Sequence, residues 1–131
     1  MTRREARECV MQMLYSVSCQ SKDDAEYIFN EQTQEVTGKV KGFIAKEFNG
    51  AIEHADEINE IIARNSKNWD IDRIAKVDHM ILQLAIYEIK WEDDIPAKVS
   101  INEAVEIAKA YSTDKSPQFI NGILGVVCNE R

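Results

Sequence analysis

Apolar side chains recur along this chain at helical spacing, and one stretch is apolar on nearly every side. From Ile71 to Ile89 the large apolar residues are Ile71, Ile74, Val77, Met80, Ile81, Leu82, Leu84, Ile86, Tyr87 and Ile89. On a helix they leave only a narrow polar stripe, which predicts a buried central helix. A membrane span needs ~18 or more apolar residues with few charges. Arg73, Lys76, Asp78, His79, Gln83 and Glu88 interrupt this run, so a soluble core is predicted.

The flanking segments carry narrower apolar faces. Ala6, Val10, Met13, Leu14 and Val17 share one face of a helix over 3–18. Ser21 to Asp24 reads as an N-cap with an acid three residues on, followed by a short helix presenting Ala25, Ile28 and Phe29. Gln32 to Thr37 reads as a turn, with Thr37 as the next cap. Val40, Ile44, Phe48, Ala51, Ala55, Ile58 and Ile62 then step by threes and fours, predicting one long helix from about Gly38 to Arg64. Gly42 and Gly50 weaken it and mark candidate close contacts. Asn65 to Asn68 breaks the period, and Asp70 can cap a short helix leading into the central one.

Glu92 to Pro96 ends the central helix. Ser100-Ile101-Asn102-Glu103 has the form of a capping box, ahead of an apolar face of Ala104, Val105, Ile107, Ala108 and Tyr111. Ser116-Pro117 has the serine and proline of a helix start. Phe119, Ile120, Ile123, Leu124, Val127 and Cys128 line the last helix. Asn121-Gly122 would ordinarily signal a turn, but the flanking period carries the helix through, with Gly122 allowing close packing. No stretch alternates like a strand. The prediction is an all-α fold of about seven helices in two packed helical subdomains, 1–66 and 67–131, with the boundary near Lys67.

Net charge is −7, so nucleic-acid binding would need a local basic patch. Arg3, Arg4 and Arg7 form one at the start of the first helix. Cations there oppose the helix dipole, and Glu5 and Glu8 offset part of the cost. Two readings stand: a solvated helix start, or an anion site, most plausibly for phosphate. Met1 and Thr2 read as flexible residues ahead of it. Three cysteines without a CxxC, and no apolar segment after Met1, predict a reduced cytoplasmic chain. There is no phosphate-binding glycine loop. Neither His54 nor His79 has a glutamate three residues before it, so the pattern of di-iron bundles is absent. Asp93-Asp94 reads as a solvated turn. No catalytic constellation, metal site or cofactor is predicted.

Several motifs together resemble the NusB family of bacterial transcription antitermination factors. They are Arg4-Glu5-Ala6-Arg7 with Gln12-Met13-Leu14-Tyr15, then Asp72-Arg73-Ile74, Val77-Asp78, Ile81-Leu82 and Ala85-Ile86-Tyr87-Glu88. The clearest run is Ile95-Pro96 with Val99 through Lys109, followed by Ser116 and Phe119-Ile120-Asn121-Gly122-Ile123-Leu124. The resemblance covers nearly the whole chain. It implies an all-helical fold and a role in antitermination on ribosomal RNA operons. It implies binding of single-stranded boxA leader RNA together with NusE, a small-subunit ribosomal protein, in the RNA polymerase antitermination complex. It also implies an RNA-binding arginine motif, here Arg3, Arg4 and Arg7, and an RNA contact at Phe119. His79 and Gln83 stand where many members carry arginine. Lys115 stands where an acidic or small polar residue is expected, a change that favours RNA. Some members form homodimers.

Two other readings compete. NusB-like domains also head some ribosomal RNA cytosine methyltransferases, which carry a downstream nucleotide-binding domain; this chain stops at Arg131. A structural bundle with incidental arginines is the other. Phe119 divides the same way, between a core phenylalanine and a stacking platform. The C-terminal half, including Glu92-Asp93-Asp94 and the Ser100 helix, is the expected contact for a basic partner. Loss of all three arginines is expected to leave folding intact.

Overall fold

The computed structural model describes residues 1–66 and 73–130; the expectations at Lys67, Trp69, Asp70 and Ile71 lie outside the described residues. Among the described residues the chain forms α1 (Arg3–Cys19), a 3-10 turn (Lys22–Asp24), α2 (Ala25–Gln32), α3 (Gly38–Glu53), α4 (Ala55–Asn65), α5 (Lys76–Trp91), α6 (Ala97–Tyr111) and α7 (Ser116–Asn129). The all-helical expectation holds, including the unbroken passage of α7 through Gly122.

Helix α5 is the centre of the molecule. It packs against α1, α3, α4, α6 and α7, and every residue from Met80 to Ile89 is buried. One hydrophobic core draws side chains from both halves of the chain, among them Met13, Ile44, Phe48 and Ile62 from the first and Ile86, Ile107 and Leu124 from the second. The polar stripe on α5 does not face water. Asp78, Gln83 and Glu88 are buried. The Ser112 and Ser116 hydroxyls donate to Asp78 at 2.5 and 2.8 Å. The Gln83 amide donates to the Ala51 carbonyl at 2.9 Å. Glu88 accepts from Arg7 and from the Ser100 hydroxyl. Buried polar groups must be paired, and these pairs tie α5 to α1, α3, α6 and α7.

Several local expectations are corrected. The long helix over 38–64 is two helices that break at His54. The His54 ring stacks on Trp91 with centroids 4.0 Å apart. The break turns Ile58, Ile61 and Ile62 into the core, where a straight rod of ~40 Å would overrun it. Gly50 is a close contact: a Cβ there would meet the Tyr87 ring at 2.2 Å. Gly42 and Gly122 face open space instead.

Ser100 is not a cap, since α6 begins at Ala97 and the buried Ser100 hydroxyl serves Glu88 at 2.8 Å. Ser116 likewise lies within α7 and serves Asp78. In both cases a buried carboxylate on α5 takes the hydroxyl that local sequence would give to a helix end. Glu92, which ends the central helix, is buried, accepts from the Tyr87 hydroxyl and pairs with Lys46 at 3.0 Å. Asp93 and Asp94 beside it are exposed.

Candidate nucleic-acid interface

The first turn of α1 is locked from its first residues. Thr2 caps the helix by accepting from the Glu5 amide at 3.0 Å, and Glu5 accepts from the Thr2 amide at 2.8 Å. The expectation of a flexible Thr2 is therefore replaced by a capping box, which Thr2-Arg3-Arg4-Glu5 spells out in sequence.

Three arginines on one turn enter three surroundings. Arg3 lies with its guanidinium 4.1 Å from the Phe43 ring centroid. Arg4 is exposed and pairs with Glu103 on α6 at 2.7 Å. Arg7 is only 6% exposed. Its Nε and Nη2 donate to the two oxygens of Glu88 at 2.8 and 3.0 Å. Burial opposes the charged form of Arg7, yet the hydrogen bond and charge of Glu88 outweigh it and hold the guanidinium above its ordinary range. Burial also acts to raise Glu88, but hydrogen bonds from Glu47 and Arg7, with the charge of Arg7, hold it below the usual carboxylate range. The expected cluster of three exposed guanidinium groups is thus corrected at Arg7, which clamps α1 to α5.

Lys115 and Phe119 lie at the opposite end of α5. The ten residues from Asp78 to Glu88 separate the two ends by ~15 Å. Phe119 is half-buried and Lys115 exposed. Both line a groove of about 320 Å³ with Arg73, Ile74, Ala75 and Thr113, and Asp78 and Ser116 also contribute. Phe119 is therefore neither fully core nor free: part of its ring packs on the core and part faces the groove.

A second hollow lies elsewhere on the surface. Met11, Gln12, Tyr15, Val77 and Tyr111 line about 200 Å³ between α1, α5 and α6. Tyr15 is 41% and Tyr111 43% exposed. Sequence reasoning placed Tyr111 on the apolar face of its helix and left Tyr15 unassigned. The available signal for Tyr15 was that it falls off the α1 seam. Arg4, Met11 and Tyr15 follow one face of α1, opposite Glu103, Ile107 and Tyr111 on α6. This face has the Arg4 cation at one end and the rings of Tyr15 and Tyr111 at the other. Such a pairing suits a single nucleic-acid strand, with phosphates on cations and bases on rings.

The His79 Nε2–H donates to Asn59 Oδ1 at 2.8 Å, and burial, aided by Lys76, lowers the His79 pKa. Among the described residues no group of three or more His, Cys, Asp or Glu side chains could hold a metal ion. No described helix is long and apolar enough to cross a membrane.

A model described as the NusB family matches residues 4–128. The transcription antitermination protein NusB of Agathobacter rectalis is 45% identical over 127 residues, covering 95% of this chain and 97% of the relative. The solved structure of T. maritima NusB superposes with a TM-score of 0.92 at 36% identity, covering 100% of this chain and 93% of that one. A chain from the crystal structure of antitermination factors NusB and NusE in complex with dsRNA has the same fold, with a TM-score of 0.85 at 24% identity and full coverage of both chains.

Proposed function

The chain belongs to the NusB family, and from that premise we propose that it is a cytoplasmic transcription antitermination factor that binds boxA-type leader RNA of ribosomal RNA operons. It does so together with NusE, a small-subunit ribosomal protein, as part of the RNA polymerase antitermination complex. What supports this reading is the pairing of cations with accessible rings: Arg4 is exposed on α1, Tyr15 and Tyr111 are exposed in one hollow, and Lys115 and Phe119 line a separate groove. Arg4 supplies a cation on α1, with Arg3 beside it on the Phe43 ring, and Lys115 with Arg73 supply cations at the groove. Tyr15, Tyr111 and Phe119 offer ring faces to unpaired bases, each worth ~1–3 kcal/mol. Arg4 reaches phosphate by exchanging Glu103 for it, because arginine binds either in two-point fashion. Arg7 acts as a positioning residue that fixes the first turn of α1 on α5. The role is binding, with no catalytic step and no cofactor.

The protein partner is basic, and a chain of net charge −7 meets it with complementary charge. Asp93 and Asp94 at the end of α5 and the exposed face of α6 are the proposed contact. Fluorescence anisotropy with a labelled boxA-type single strand, with and without NusE, tests the reading. Arg4→Ala and Phe119→Ala are each expected to weaken RNA binding while NusE binding survives. Wild-type affinity in both variants would move the RNA site off this surface. Failure of the wild-type chain to bind RNA, alone or with NusE, would favour a purely structural bundle.

A further inference from the structure

Arg4 is exposed but not free. Its Nε and Nη2 donate to the two oxygens of Glu103 at 3.2 and 2.7 Å. Arginine grips a phosphate in the same two-point way, so the Glu103 carboxylate fills the place a phosphate would take. The hydrogen bond and charge of Glu103, with smaller help from the charges of Glu106 and Glu8, hold the Arg4 guanidinium above its ordinary range.

Glu103 has a second cation within reach. Its Oε1 is the oxygen that Arg4 holds at the longer distance, and it lies 3.9 Å from Arg7 Nη1. Arg7 gives its Nε and Nη2 to Glu88, and Nη1 is the nitrogen left over from that pairing. An N–H···O hydrogen bond spans about 2.9 Å, so a movement of ~1 Å carries Glu103 onto Arg7. Arg7 is buried and held on two nitrogens, Glu103 is half-buried, and Arg4 is exposed. Arg4 is thus the partner free to leave. The fold does not depend on its staying, because the buried Arg7–Glu88 pair already fixes the start of α1.

We infer that Glu103 sets the RNA affinity of this chain by competing with phosphate for Arg4, and that on RNA binding the carboxylate passes to Arg7 Nη1 as Arg4 passes to the phosphate. The second half follows from charge. If Arg4 left and Glu103 stayed where it is, a half-buried carboxylate would stand unpaired beside an incoming phosphate, and like charges repel. With Arg7 as the second partner, both anions stay paired throughout. The inference rests on the RNA-binding reading and deepens it, adding a built-in competitor to the Arg4 site.

The test uses the full chain and the labelled boxA-type strand. Glu103→Gln keeps the shape of the side chain and removes its charge. RNA affinity should rise by up to about fivefold, the weight of an exposed ion pair. The slope of log affinity against log salt should steepen by up to ~0.7, one phosphate contact. Glu106→Gln makes the same charge change one turn along α6, where the carboxylate serves Lys109 at 2.7 Å, and should do much less. In an Arg4→Ala background, Glu103→Gln should add no more than Glu106→Gln does. Thermal melts of each variant separate binding from folding. The passage to Arg7 is read by NMR of the arginine side chains in wild type, which stands even if Glu103→Gln fails to fold: the guanidinium signals of both Arg4 and Arg7 should shift on RNA addition. A shift confined to Arg4 overturns the passage. Unchanged or weaker RNA binding by folded Glu103→Gln, with Arg4→Ala still weakened, overturns the competition and leaves the RNA site standing. A gain equalled by Glu106→Gln assigns the effect to bulk charge and overturns it as well. Wild-type affinity in Arg4→Ala, or a wild-type chain that binds no RNA, overturns this inference along with the Arg4 site on which it rests.

Discussion

Arg4 and Arg7 stand three residues apart on α1, and their substitutions should behave in opposite ways. Arg7→Ala leaves the buried Glu88 carboxylate with its charge uncompensated, and breaking such a pair costs ~3–5 kcal/mol. Arg4→Ala removes an exposed cation and should leave the melting temperature nearly unchanged while RNA affinity falls. Thermal melts and RNA titrations on the two variants check this. A triple alanine variant would therefore confound folding with binding, contrary to what the sequence pattern alone predicts.

Phe119→Ala should cost well under the ~3–5 kcal/mol of a fully buried phenylalanine, because its ring is only half-buried. Glu47 sets a pH dependence. Its folded pKa is raised to about 10 from an ordinary 4.5. The stability tied to its proton is complete below the unfolded value and is lost as pH rises toward 10. Glu47→Gln removes that slope. Its melting temperature should exceed wild type at pH 8, and the two should converge near pH 4.5. Parallel melting curves for both proteins across this range would show that Glu47 ionises freely.

At the scale of elements, two glycines of α3 test how the helix is packed. Gly50→Ala places a methyl against the Tyr87 ring, at 2.2 Å before any relaxation. Tyr87 is buried and its hydroxyl is held by Glu92, so the ring cannot swing away freely. Overpacking of this kind costs ~1–3 kcal/mol. Gly42→Ala meets no atom within 4 Å and should stabilise the helix by up to ~1 kcal/mol. Urea titrations of the pair should move in opposite directions. The sequence marked both glycines alike, because helix propensity is local while the Tyr87 ring arrives from 37 positions away on α5. The break at His54 has the same origin. Steps of three and four run straight through it, and the ring stack on Trp91 belongs to another helix.

Across the whole molecule, α5 joins the two halves through one core. Slow-exchanging amides of α1, α5 and α7 should therefore open with a common free energy in hydrogen exchange. Separate, lower values for α1 and α3 would instead indicate two independently opening halves. The apolar periodicity by itself determined the helical class, the order of helices and the choice of the central one. It could do so because a helix buries the face its own spacing creates. Residue motifs, taken together, were also enough to indicate the family. Tertiary structure decided which polar side chains are available. Arg7, Ser100 and Ser116 look like surface or cap residues along the chain, and Tyr111 looks like core. The first three are buried because Glu88 and Asp78 require partners inside the fold, and Tyr111 is exposed beside Tyr15 where α1 and α6 meet at the surface. A carboxylate taken out of water must be paired by whatever group packing brings to it, and that group is named only when distant helices meet.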